Sequence, residues 1–275
     1  MKPSIILSRM LAVGIAACAL LGSLDASART LDEILASKKI VFGINPNLAP
    51  LGTYDAKNNI DGFDVSIAKK IADSLGVKLE IVPVGSNDRV PFLMADKIDA
   101  VMGGMTRNAD RMKVIDFTDP VNTEVLGVLT TQDKPYKDWT QLNDPSVRLV
   151  QVRGTTPVKL IQDKLPKAQL LLLDNYPDAV RSIAQGRSDA LIDVLDFMLS
   201  YTKNYPTKWR VVDAPIEVDY DCIGIKKGNT ELTERLNKEI GMLQKNGFVA
   251  ASWKKWFGSP MLYDPTAAPP AIAAQ

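Results

Sequence analysis

Two successive series of short apolar strands and amphipathic helices, separated by a long extended run, constrain this chain more than any other feature of its sequence. In the first series residues 40–44 read as a strand. Residues 64–75 read as a helix, because Val65, Ala68, Ile71, Ala72 and Leu75 fall on one face and Gly76 marks its stop. Residues 77–84 read as a strand, 89–95 as a short helix and 100–102 as a third strand. That βαβαβ order predicts a parallel sheet covered by helices. The second series repeats the pattern, with strands at 149–152, 170–173 and 190–192 and helices at 157–165 and 176–185.

Between the series, 121–131 is rich in β-branched residues and has no helical face, and 216–225 is similar. Two extended crossings predict an α/β protein of two lobes joined by a two-stranded hinge. Residues 29–122 form the first part of lobe 1, 127–217 form lobe 2, and 224–262, with helices near 231–246 and 248–257, return to lobe 1. The roughly 235 residues involved are enough for two ordinary domains. The simpler alternative is one continuous sheet.

At the amino terminus Lys2 and Arg9 flank a short start, 10–24 is almost entirely apolar or small, and Ala26-Ser27-Ala28 offers a cleavage site. Residues 1–28 therefore read as a secretory signal peptide, too short and too early for a spanning helix. The expected location is the periplasm. Ile15-Ala16-Ala17-Cys18 also fits a loose lipobox, in which Cys18 would be acylated, but the apolar run continues past Cys18 and favours the later site. Cleavage leaves Cys222 without a disulfide partner, as either a small buried hydrophobe or a reactive thiol. It also leaves 31 basic and 31 acidic side chains, a balance with no general attraction for nucleic acid. The chain contains no histidine, which excludes histidine-activated nucleophiles, histidine-ligated zinc and histidine acid–base catalysis. No phosphate-binding glycine loop is present and no cofactor is expected. Residues 263–275, alanine and proline without a periodic face, read as a disordered tail.

Three segments place polar groups at strand ends, where open α/β sheets bind ligands. The first runs from Gly103-Gly104-Met105-Thr106 to Arg111. Paired glycines expose backbone, Thr106 adds a hydroxyl, and the Arg111 guanidinium either grips a carboxylate through two hydrogen bonds or faces solvent. The second is Gly154-Thr155-Thr156-Pro157. Here Thr156 is expected as N-cap with proline at the first helical position, and the free amides form either an anion site or a simple cap. The third is Asp193, which follows an apolar run and either accepts from an ammonium group or caps a helix over 194–203. Together the three describe the two ends of a zwitterionic α-amino acid.

The series Gly62-Phe63-Asp64-Val65, Lys97-Ile98-Asp99-Ala100, Gly104-Met105-Thr106 through Arg111, Asp116-Phe117-Thr118-Asp119-Pro120, Val152-Arg153-Gly154-Thr155-Thr156, Gly186-Arg187-Ser188-Asp189-Ala190 and Trp256-Phe257-Gly258 resembles the polar amino acid family of ABC-importer solute-binding proteins. The correspondence runs from about residue 40 to 258. It implies a bilobed, type II periplasmic-binding-protein-like fold that closes by hinge bending. It further implies that Arg111 and the Thr156 amide hold the ligand α-carboxylate, and that the Gly104 carbonyl, Thr106 and Asp193 hold the α-ammonium. Many relatives carry an acid where Asn45 lies and aromatic rings where Leu48 and Ser86 lie, so a basic or aromatic ligand is not expected. Ser86-Asn87-Asp88-Arg89 resembles the glutamate/aspartate-type branch, in which the matching serine and arginine meet a second carboxylate. Another arginine of that branch falls at Asn45 and is missing. Arg107 either compensates or faces solvent.

The resulting expectation is a monomeric periplasmic component of an ABC importer. It binds a free polar or acidic amino acid and partners the permease transmembrane subunits, not nucleic acid. The alternative is an enzyme resembling periplasmic cyclohexadienyl dehydratases, with Glu124 or Asp193 as a carboxylic acid of raised pKa.

Overall fold

In the computed structural model, residues 29–267 are described apart from 204, 213 and 214. The expected signal peptide, with Cys18, lies outside the described residues. The chain opens on helix α1 (Leu31–Ala36), whose Thr30 side chain accepts from the Glu33 amide while the Glu33 carboxylate accepts from the Thr30 amide. Strand β1 (Lys39–Ile44), the small hairpin β2 (Thr53–Tyr54) and β3 (Ile60–Asp61), helix α2 (Phe63–Leu75), β4 (Lys78–Pro83), α3 (Arg89–Met94) and β5 (Ala100–Val101) complete the first series. The predicted face of α2 is buried, and Gly76 ends the helix at φ 67°, where a side chain would be strained. Strands β4 and β5 flank β1 in parallel, as crossover helices require.

After the short α4 (Ala109–Met112), β6 (Ile115–Thr131) extends for 17 residues. The second series is β7 (Arg148–Val152), α5 (Thr156–Lys164), β8 (Gln169–Leu173), α6 (Tyr176–Ala184), β9 (Ala190–Val194) and α7 (Leu195–Thr202), followed by β10 (Trp209–Val212). Strand β11 (Val218–Lys226) leads back to α8 (Thr230–Lys245) and α9 (Phe248–Phe257). The Thr156 cap expected from sequence is shifted by one residue. Thr155 is the N-cap and Thr156 is already helical, because Thr155 holds the extended backbone conformation that precedes a helix.

Strand order is β4-β1-β5-β11-β6-β9-β7-β8, with β10 also on β6. The fold is a bilobed α/β architecture, yet every strand of this series lies on one hydrogen-bonded path, so the continuous-sheet alternative describes the connectivity. Strand β6 reconciles the two. Its residues 115–125 pair antiparallel with β11, and 126–130 pair with β9. The partner changes between Val125 and Leu126, where β6 leaves one lobe for the other.

In lobe 1, Trp253 of α9 is fully buried, stacked on Phe257 at 3.7 Å and edge-on to Phe63 of α2 at 5.3 Å. Burying an aromatic of this size contributes about 3 kcal/mol. In lobe 2, Leu149, Ala179, Leu191 and Ile192 are inaccessible to solvent between sheet and helices. Each lobe also carries an aspartate just before its central strand. Asp99 accepts from the Val41 amide at 2.7 Å and from Arg29, and Asp189 accepts from the Arg148 amide at 2.8 Å and from the Arg148 guanidinium. These bonds join neighbouring parallel strands at their amino ends.

Residues 263–267, which the sequence reading places in a disordered tail, are held against the protein. Tyr263 and Ala267 lie against the outer face of the hinge, their carbonyls accepting from Thr123 Oγ1 at 3.0 Å and from the Tyr220 hydroxyl at 2.9 Å. Proline and alanine composition carries no sign of such backbone-mediated docking. Residues 268–275 lie outside the described residues.

Candidate functional site

The carboxyl ends of β1, β5, β7 and β9 converge on a narrow cleft between the lobes, floored by the hinge strands. Leu48, Thr106, Glu124, Thr156, Asp193 and Asp219 are among the residues that line it. Beyond β5 the chain turns through Gly103 (φ 89°) and Gly104 (φ 67°), a left-handed pair that glycine adopts without strain, and Gly104 lines the cleft.

Arg111 follows, reached through the Asn108-capped α4. Its Nη1 donates to the Thr106 carbonyl at 2.6 Å, and its Nη2 crosses to the Gly154 carbonyl of lobe 2 at 2.8 Å. Burial, and then the neighbouring Arg89 charge, lower its pKa to about 10, so it is charged at neutral pH. Ser200 Oγ of lobe 2 donates to the Ala49 carbonyl of lobe 1 at 2.8 Å. Gly154 itself (φ 76°) lies so close to lobe 1 that a Cβ there would sit 2.7 Å from Asn87 Cα. The lobes are therefore in contact across the cleft.

On the lobe 2 side, the Thr155 hydroxyl turns back to the Val152 carbonyl at 2.7 Å, leaving the first turn of α5 without a side-chain cap. Thr156 Oγ1 is buried with no partner. Asp193 lies within β9, and the N-cap of α7 is Val194, so the capping alternative for Asp193 is excluded. Its Oδ2 is buried and unpartnered. Burial pushes its pKa up to about 7, against the Val194 amide and the Tyr201 hydroxyl.

Thr106 Oγ1 donates to Glu124 Oε2 at 2.7 Å, which leaves the hydroxyl lone pairs to accept. Glu124 is itself buried, and burial raises its pKa.

Several predicted residues are differently employed. Arg89 is 1% exposed, and it donates to the carbonyls of Ser86 at 3.1 Å, Gly103 at 2.5 Å, Gly104 and Gly154 at 3.3 Å. Four backbone acceptors occupy most of its five N–H groups, so it holds the glycine turn in place rather than standing free for a second carboxylate. The Gly104 carbonyl, expected to face an ammonium, faces this guanidinium. Asn45 donates to Ser86 Oγ at 3.1 Å and accepts from the Asn47 amide at 3.0 Å, which ties both side chains into the loop after β1. Arg107 stacks over the Tyr220 ring at 5.8 Å, on the outer side of the hinge. Cys222 is buried, and burial pushes its thiol up to about 12.

Asp219 and Asp221 were not anticipated. They sit two apart on β11, directly opposite Glu124 and Asn122 of β6, so all four side chains share the cleft face of the hinge ladder. The signal was present as alternating acids within an otherwise apolar extended run.

The chain is similar to known proteins along most of its length. An ABC transporter glutamine-binding protein of Bacillus subtilis is 31% identical, covering 82% of this chain and 84% of the relative. A glutamate/aspartate import solute-binding protein of Escherichia coli is 25% identical, covering 86% and 82%. The crystal structure of an ancestral amino acid-binding protein, described as a precursor of cyclohexadienyl dehydratase, superposes with a TM-score of 0.78 at 31% identity, covering 82% of this chain and 99% of that one. Residues 40–259 match the model of one family, and with this span and a two-lobed sheet crossed by β6 and β11, the chain belongs to the bacterial extracellular solute-binding proteins, family 3.

Proposed function

We propose that this protein is the periplasmic solute-binding component of an ABC importer, exported by residues 1–28, and that it closes lobes 29–122 and 224–262 onto lobe 127–217 around one free amino acid. Arg111 and the uncapped amides of α5, with Thr156, receive the α-carboxylate. Asp193 of lobe 2 and the Thr106 hydroxyl of lobe 1 receive the α-ammonium. Each end of the zwitterion then draws on both lobes, so binding favours closure by the difference in affinity between the closed and open forms. Water excluded on closure strengthens both ends. The observation that carries this reading is the buried Asp193 carboxylate, whose Oδ2 has no partner, across the cleft from an arginine whose guanidinium is bonded to backbone carbonyls. The curated relatives are transport proteins.

Calorimetry of the mature chain against the amino acids tests the proposal. Arg111→Ala is expected to cost about 2–5 kcal/mol of ligand binding. Unchanged affinity in that variant would remove Arg111 from the site, and turnover of prephenate would replace transport with catalysis.

A further inference from the structure

The hinge floor carries more carboxyl groups than a zwitterion can answer. Glu124 of β6 and Asp219 of β11 are register partners in the antiparallel ladder, and Asp221 stands on the same face two residues on. Directly opposed like charges destabilise a sheet. Among the described residues none of the three carboxylates takes part in an ion pair, because Arg89 and Arg111 direct their N–H groups to backbone carbonyls. Asp219 Oδ2 and Asp221 Oδ1 are buried without a hydrogen-bond partner, and Asp221 is 4% exposed. Independently, Asp193 reaches the same cavity from lobe 2 with its own unpartnered oxygen. The charged groups acting on this floor are Glu217, Asp64, Arg89 and Arg111, and burial favours the neutral forms of Glu124, Asp193, Asp219 and Asp221, so a cation arriving among them is what lets them ionise. A zwitterion brings one positive charge and one negative one, and the negative one is directed to Arg111.

We infer that Glu124, Asp219 and Asp221 form a cationic subsite at the hinge end of the cleft, so that the preferred ligand is an amino acid bearing a second positive group, an ammonium or a guanidinium. This inference rests on the solute-binding reading and deepens it. It also revises the preference expected from Ser86 and Arg89. The second cation docks on the hinge strands, whose facing carboxylates it holds together, so the ligand's extra charge acts directly on the elements that bend.

Calorimetry at pH 7.5 compares diamino acids from 2,3-diaminopropionate to lysine, together with arginine, against glutamine and glutamate. At least one dicationic member is expected to bind more than tenfold tighter than both, and Asp219→Asn should reduce that preference ratio at least tenfold. Because the variant removes one of two facing carboxylates, its midpoint of thermal unfolding should rise, which separates loss of preference from loss of fold. A preference for glutamine or glutamate, or a dicationic preference that survives both Asp219→Asn and Glu124→Gln, overturns the subsite while leaving amino acid binding intact. Failure of every amino acid to bind overturns the solute-binding reading and the subsite together.

Discussion

The two ends of strand β9 hold the same residue type at nearly equal burial with opposite electrostatics. Asp189, just before the strand, is 4% exposed, and Asp193, within it, is 2% exposed. Burial alone would raise Asp189, but Arg148 and Lys134, with the Arg148 amide, hold it down to about 2. Asp193 meets no cation, and burial pushes it up to about 7. One end is a completed joint between strands β7 and β9. The other keeps an acid that no cation of the described residues pairs with. Asp99 in lobe 1 repeats the first arrangement, and Asp219 on the hinge repeats the second, with burial and then the neighbouring Glu217 and Glu124 charges pushing it to about 7. Paired and unpaired buried carboxylates in this protein are therefore told apart by what faces them, not by depth, and the proposed function assigns the unpaired ones to the ligand.

The largest effect that would break this contrast is on binding. Asp193→Asn should weaken the amino acid by about 2–5 kcal/mol in calorimetry, since it removes the only lobe 2 carboxylate of the clamp. Unfolding titrations of the same variant at pH 8 should show equal or greater stability, because a buried unpaired charge is gone. Asp189→Ala should reverse the pattern. It should lose about 3 kcal/mol of folding stability, the lower end for a broken buried pair because Arg148 stays half in solvent, with ligand affinity of the folded protein unchanged.

The smallest effect is on pH dependence, and the sign differs between the two ends. A carboxyl whose folded pKa is raised to about 7 contributes stability that is complete below its unfolded value near 4 and is lost as pH climbs through 7. Asp189, depressed to about 2, contributes stability present above 4 and lost as pH falls through 2. Stability of the wild type should therefore decline by about 5 kcal/mol between pH 5 and pH 8, and Asp193→Asn should remove about half of that slope. A wild-type profile that rises over this interval would contradict the picture of uncompensated cleft acids.

Much of this was legible in the chain itself. Helical period on α2, glycine at its end and the restart of the βα pattern gave the layers, because burial of one face depends on local spacing alone. Arg111, Thr106 and Asp193 were legible as strand-end polar residues. Arg89 was legible as an arginine near the cleft but not as one saturated by carbonyls. Its partners Gly103 and Gly154 lie 14 and 65 residues away, and a side chain's acceptors depend on which turns meet in space.

What the sequence by itself determined is the alternation that builds two lobes, the absence of histidine chemistry and the order of motifs along the family span. The tertiary structure alone decided which charges are answered. Hydrophobic period is a property of neighbours along the chain, whereas the pairing of Glu124 with Asp219 depends on a strand register spanning 95 residues. Only that register sets two acids face to face on the hinge.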